Sequence, residues 1–338
     1  MRSRLVAQVG GTIQWRLTGS VESETPLRSF PGWHLRSPLH WSPYERQFAG
    51  AYRSGKVDEN VVVSTRGISL AYEKQEPGKA FPTKAFDIVS EVLRRLRYAS
   101  RQFAIPLQVS ALTTDDTGAS AAAETEADRD LSRMFVRNYH IPTAVSEVHL
   151  RSVASFEPDF SIPVHAEVLL DALEAHVDQD YRKALLYGTI AVEAFARRQL
   201  ENAASLNLDR SDARHRVSSF PVAGGGRVSK DPISDLLLES DNFPRLLHEA
   251  PLYILGRSLL LEKPETYRDV RRLYSTRNKI AHVGTPPSDG KYFAATKEDS
   301  TAALSAVVDA VAWYGDAGPY IVWDGGFVSA TDGTPAPF

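Results

Sequence analysis

Pro264-Glu265-Thr266-Tyr267-Arg268-Asp269-Val270-Arg271-Arg272-Leu273-Tyr274-Ser275-Thr276-Arg277-Asn278-Lys279-Ile280-Ala281-His282-Val283-Gly284 decides the fold class of the second half of this chain. Val270, Leu273, Tyr274, Arg277, Ile280 and Ala281 recur three and four residues apart, which is one stripe of an amphipathic helix. Pro264 suits a first-turn position, where a missing N–H costs no hydrogen bond. Gly284 supplies a C-terminal stop, and Pro286-Pro287 bars continuation. The spacing therefore predicts a helix over 265–283.

The flanking sequence repeats this character. Helices are expected from Val164 to Val177, with Val168, Leu169, Ala172 and Leu173 inside, and from Asp180 to Asn202. Shorter helices are expected at 232–240 and 243–261, and a last one at 297–314 with Leu304, Val307, Val308 and Val311 inward. Residues 204–230, including Gly224-Gly225-Gly226, read as a long loop. That glycine run lacks the Gly-Lys-Ser/Thr ending of a phosphate loop. Residues 319–338 read as a Gly- and Pro-rich tail, with a short β-like run at Tyr320-Ile321-Val322-Trp323 starting at its edge.

The first half differs. Thr12 to Leu17 alternates like a half-buried strand, and Val61-Val62-Val63 and Ile68 to Tyr72 flank Thr65-Arg66-Gly67 as a hairpin would. Residues 25–45, crowded with Pro, Trp, His and Ser, read as loop. A helix is expected from Lys84 to Phe103 on the stripe Phe86, Val89, Val92, Leu93 and Leu96. Strands are expected at Ile105–Leu112 and Val145–Val153, with a flexible Ala-, Thr-, Asp- and Glu-rich loop at 113–130 between them. Phe156-Glu157-Pro158 and Ile162-Pro163 punctuate the chain. The expected class is α+β: a β-rich mixed domain over 1–158, an all-α bundle over 159–318 and the tail.

With 338 residues, two domains are the natural division. The absence of cysteine excludes disulfides, thiolate metal sites and a cysteine nucleophile, and it suits a cytoplasmic location. The opening MRSRLVAQVGGTIQW has no apolar run long enough for a signal peptide, and no stretch approaches 18 apolar residues, so no membrane span is expected. Net charge is −3, so nucleic-acid binding, if present, must come from a local basic patch. Arg271, Arg272 and Lys279 offer one.

An Arg and a His five positions apart form a cheap pattern: with 29 arginines and nine histidines, one fixed spacing arises about once by chance. Arg28 with His34, Arg133 with His140 and Arg210 with His215 have comparable spacings. Context separates Arg277 and His282 from these. Arg277 lies in the apolar stripe, where an unpaired charge is costly and a guanidinium needs a carboxylate or a phosphate. His282 falls in the last helical turn, where the helix dipole favours the imidazolium and makes a general acid or base available. Asn278 and His282, four apart, share a face. The alternative is that Arg277 pairs with a core carboxylate and His282 only caps the helix. Glu193, an acid within the row Leu186, Thr189, Ile190, Ala196 and Leu200, also has two readings. It pairs with Arg197 one turn on, or it orients Arg277.

The helix order over 160–316, the stretch Ala191-Val192-Glu193-Ala194-Phe195 and the Arg277-Asn278-x3-His282 signature together resemble a HEPN domain, of the kind found at the C-terminus of ApeA-like defence proteins. The resemblance covers about half the chain; residues 1–158 match no family known to us. It implies an all-α, homodimeric, metal-independent endoribonuclease that needs no cofactor. Two Arg/His pairs would meet across the dimer axis, and RNA would be cut by its own 2′-hydroxyl to leave a 2′,3′-cyclic phosphate. Arg277 would hold the scissile phosphate, His282 would move a proton, and Asn278 would position the phosphate or the His, with Glu193 and Lys279 in support. Such chemistry needs acid–base help and charge stabilisation rather than a metal-bound water. A regulatory protein or a phage-derived trigger would be a further partner, and the role would be that of a toxin or antiviral effector. Members controlled by modification of a Tyr two residues after the His differ here, because that position is Gly284. Some members have lost catalysis, so the alternative is a non-catalytic dimerising module whose first domain binds a partner.

Two further features have open readings. Arg94, Arg95, Arg97 and Arg101 on the helix 84–103 form either a phosphate-tracking surface or a solvated face, the latter favoured. Trp33, Trp41, Tyr44, Phe48 and Tyr52 would either stack bases or fill the core of an irregular domain.

Overall fold

The computed structural model describes residues 2–16, 24–36, 62–73, 81–114, 145–207, 243–281 and 295–315. The chain divides into two units, Met1–Ile162 and Pro163–Phe338, a boundary slightly beyond the one expected at residue 158. The first unit holds an antiparallel five-stranded sheet, and the described elements that follow Ile162 are all helices. The class is α+β.

In the first unit the strands are β1 (Arg2–Arg16), β2 (Glu24–Pro26), β3 (Trp33–Arg36), β4 (Val62–Glu73) and β5 (Val109–Thr114), in the spatial order β2-β3-β4-β1-β5. Along β1, Leu5, Ala7, Val9, Ile13 and Trp15 are buried while Arg4, Val6 and Gln8 are half-buried. That is the period-2 pattern of a sheet with one face on a core. The inner face packs against α1 (Phe81–Ser100) and α2 (Glu147–Ser155). From α1 come Ile88, Val89, Val92, Leu93 and Leu96; from α2 come Leu150, Val153 and Ala154.

The expected hairpin at Thr65-Arg66-Gly67 is not formed. β4 runs straight through it as one strand, paired along β1. The registers of the two strands slip between Gln8 and Ile13, and Gly67 sits opposite Gln8 at the edge of that irregularity. A Cβ on Gly67 would stand 2.5 Å from the Ala7 carbonyl oxygen. Glycine is thus demanded there by a close backbone approach at a bulge, not by a turn. Gly67→Val is expected to destabilise the protein by about 2 kcal/mol or more, since the neighbour it strikes is backbone. The midpoint of urea unfolding checks this.

Residues 145–153 correct a second expectation. Only Val145 bridges to a strand, pairing with Trp15, and the chain then turns into α2. The backbone N–H of Ser146 donates to Nδ1 of His149 at 3.0 Å, so the imidazole does the job of the Glu or Gln of a standard capping box. The strand expected from Ile105 begins only at Val109. Phe86, expected inside, is 45% exposed, because the buried face of α1 is centred on Val89 and Val92.

Arg95 and Arg97 on α1 and Arg101 just beyond its end overturn the solvated-face reading: all three are buried, and of the four Arg94 alone is exposed. Arg95 donates from Nε to Glu91 at 2.8 Å, and also to the Ser29 hydroxyl and, at 3.4 Å, to the Phe160 carbonyl. The rings of Phe30, Phe156 and Phe160 surround its guanidinium at 5.4, 5.8 and 5.7 Å. Arg97 donates to the Phe103 carbonyl at 3.0 Å, and Arg101 lies over the Tyr98 ring. These arginines knit the first unit together rather than face a ligand. Trp33 is likewise buried, stacked on Tyr72 with ring centroids 5.2 Å apart, so it is core and not a base-stacking surface. Trp41, Tyr44, Phe48 and Tyr52 lie outside the described residues.

The second unit is built around α4 (Tyr181–Asn207), which packs against α3 (Val164–Val177), α8 (Pro264–Ala281) and α9 (Lys297–Trp313). Short helices α5 (Phe243–Leu247), α6 (Glu249–Ile254) and α7 (Leu259–Glu262) lead into α8. They replace the single helix expected over 243–261, interrupted near His248 and at Gly256, whose φ is +73°. α4 runs on to Asn207, past the end expected at Asn202 and into the loop expected from residue 204; residues 208–242 and 316–338, with the rest of that loop, the helix at 232–240 and the β-like run, lie outside the described residues. The α3–α4 turn is closed by Gln179 in the left-handed region and by Asp180, whose carboxylate accepts the Lys183 N–H at 3.1 Å. Gly188 lets α9 approach α4, its position lying 3.2 Å from Leu304 Cδ2 for an added Cβ. Two buried polar side chains here are satisfied within the bundle: His176 Nδ1 meets Ser300 Oγ at 2.8 Å between α3 and α9, and the Thr189 hydroxyl donates to the Leu185 carbonyl. Among the described residues, no helix is long and apolar enough to cross a membrane.

Candidate functional site

The α8 helix starts at Pro264, as its sequence predicts, and its buried side is Tyr267, Val270 and Leu273. Burial relaxes along the stripe. Tyr274, Arg277 and Ile280 are half-buried, while Arg268, Arg271, Arg272 and Ser275 face solvent. Arg277 therefore sits on the packed side of the helix, near the end where that packing opens.

Its electrostatic position differs from that of the other half-buried arginines described in this unit. The Nε atom of Arg277 is buried and has no hydrogen-bond partner among the described residues. The two other half-buried arginines described in this unit each hold a glutamate four residues away. Arg197 donates to Glu193 at 2.9 Å, and Arg245 lies 3.4 Å from Glu249. The sequence explains the contrast. The positions three and four residues either side of Arg277 are Tyr274, Leu273, Ile280 and Ala281, so no acid is within one helical turn. A guanidinium is always charged, and a buried donor without an acceptor carries a desolvation cost of about 1–3 kcal/mol. Such an orphan is a place where an anion gains.

What lies against Arg277 is an aromatic face. Its guanidinium carbon is 5.8 Å from the centroid of the Tyr274 ring. Asn278, next in sequence, is half-buried. Lys279 is in the helical backbone, and its side chain lies outside the described positions, as does the whole of His282. Glu193 takes the first of its two readings: it is the partner of Arg197 on α4, and no hydrogen bond or ion pair joins it to Arg277 among the described residues. The Arg271–Arg272 pair supplies exposed positive charge on the same helix.

No family model, curated protein or solved structure matches this chain.

A second polar cluster in this unit was not foreseen from the sequence. Glu262, at the end of α7, accepts from Arg257 at 2.7 Å and from the Trp313 indole at 2.8 Å, and Arg257 lies 4.9 Å above the Trp313 ring. The hydrogen bond from Arg257, then that from Trp313, holds the Glu262 carboxyl down at about 2. Burial drives the Tyr314 phenol upward, and its hydroxyl donates to the Leu246 carbonyl. These contacts fasten the C-terminal end of α9 to α5 and α7. The His248–Ser258 pair, at 2.6 Å, is also spent, because Ser258 is buried and its hydroxyl caps α7 by accepting from Leu261. Among the described residues, no group of three or more His, Asp or Glu is placed to hold a metal ion. Among the described residues of this unit, Arg277 keeps a buried donor with no acceptor.

Proposed function

We propose that the helical unit is a HEPN-like, metal-independent endoribonuclease acting as a cytoplasmic homodimer, the effector of an antiviral or toxin system. The observation that carries this reading is the buried Arg277 Nε with no acceptor among the described residues, in a chain that continues Asn278-x3-His282. An RNA phosphate supplies the missing acceptor in the bidentate geometry that a guanidinium favours. The 2′-hydroxyl oxygen attacks the adjacent phosphorus, and the bond from phosphorus to the 5′-oxygen breaks. His282 takes the proton from the 2′-hydroxyl or gives one to the leaving 5′-oxygen, and its partner-chain equivalent does the other. Arg277 balances the negative charge that grows on the phosphoryl oxygens. Asn278 positions the phosphate or the imidazole. Arg271 and Arg272 raise the local concentration of RNA despite the net charge of −3. The first unit acts as sensor or restraint and receives a regulatory protein or phage-derived trigger.

The test is a pool of RNAs incubated with purified protein in EDTA, paired with growth on expression of wild type and His282→Ala. Cleavage and toxicity are expected for wild type alone. If no RNA is cut and both proteins are equally tolerated, the chain is instead a non-catalytic interaction module.

A further inference from the structure

Resting on that reading of the site, we infer that Tyr274 is a positioning residue for Arg277, its ring holding the guanidinium in place while leaving the N–H donors free for an oxyanion. The two residues are three apart on α8, on one face, with the guanidinium carbon 5.8 Å from the ring centroid. The other half-buried arginines described in this unit are fixed by a carboxylate: Glu193 holds Arg197 and Glu249 lies against Arg245. A carboxylate would occupy the donor fork and compete with a phosphate for it. A π face attracts the cation without accepting an N–H in its plane, so charge and position are kept while the fork stays open. No acid stands within one turn of Arg277, and its Nε has no partner among the described residues, so the ring takes over the orienting role. Both side chains are half-buried, which keeps the contact stronger than a solvated one.

The experiment compares kcat and KM for RNA cleavage in EDTA by wild type, Tyr274→Phe and Tyr274→Leu, with thermal melting of each. Tyr274→Phe is expected within about twofold of wild type, and Tyr274→Leu is expected to lose about tenfold, in kcat rather than KM. Should Tyr274→Leu melt early, Tyr274→Phe with a progressively fluorinated ring keeps the shape and drains the π face. Activity then falls stepwise with fluorination. Wild-type protein that cuts no RNA overturns the reading of the site and this inference with it. Wild-type cleavage matched by a folded Tyr274→Leu, by an unchanged fluorinated series, or by a Tyr274→Phe as damaged as Tyr274→Leu, overturns the inference alone.

Discussion

Arg277→Ala lowers the rate of RNA cleavage in EDTA by about 10³-fold, the size of effect seen when one preorganised donor to a developing oxyanion is removed. The loss falls on kcat, because the contact strengthens as charge builds on the phosphoryl oxygens. Arg277→Lys recovers only part of it, since an ammonium cannot present two parallel donors. Stability moves the other way from what a structural arginine would give. The Nε of Arg277 satisfies no partner among the described residues, so its removal relieves a buried unpaired donor. Melting is therefore expected to stay within about 1 kcal/mol of wild type or to improve, as at other sites held strained for function. An arginine that braced the fold would show the reverse: a lower melting temperature and unchanged turnover. Rate and melting measured on one preparation separate the two.

Arg95→Ala is the largest expected loss of stability, about 3 kcal/mol. This arginine is 3% exposed and satisfies Glu91, Ser29 and the Phe160 carbonyl within a ring of Phe30, Phe156 and Phe160. Truncation removes the cation from three π faces, leaves Glu91 with Arg94 alone and opens a void among aromatic side chains. Glu91 is partly exposed and can be rehydrated, which keeps the loss toward the lower end for a broken buried pair. Arg95→Lys is expected to regain less than half, because it can neither stack nor fork. Denaturant unfolding followed by tryptophan fluorescence reads the effect, since Trp15 and Trp33 lie in the same core.

The contrast between these two arginines shows how far the sequence could be read. Hydrophobic periodicity located the helices at Val164–Val177 and Lys297–Trp313, and the start of the one at Pro264–Ala281, nearly to the residue, because a long apolar stripe is a strong local signal that a proline start sharpens. It placed Arg277 on the packed side for the same reason. It failed for Arg95, Arg97 and Arg101, whose burial depends on residues 29, 103 and 156–160, which come from elsewhere in the chain. The β-branched run around Val145 and Val148 reads as strand; the helix there depends on a Ser146–His149 cap that the usual Glu or Gln signature does not cover. Gly67 was read as a turn because glycine is ambiguous: the same missing Cβ serves a hairpin and a bulge. Glu193 was undecided in the sequence because Arg197, one turn away, and Arg277, on another helix, are both reasonable partners. The fold places it on Arg197. The orphaned Nε of Arg277 is partly legible, since the absence of an acid at the four positions one turn away is written in the chain, whereas the lack of an acceptor for it elsewhere among the described residues is not.

The proposed helical ribonuclease would cut RNA through the RNA's own 2′-hydroxyl at Arg277 and His282. The most direct measurement is the chemical identity of the RNA ends left by wild-type protein in EDTA, with His282→Ala beside it. Wild type is expected to leave 2′,3′-cyclic phosphate and 5′-hydroxyl ends and the variant to leave the RNA intact; cleavage that leaves 3′-hydroxyl and 5′-phosphate ends, or that His282→Ala performs as fast as wild type, would overturn the proposal.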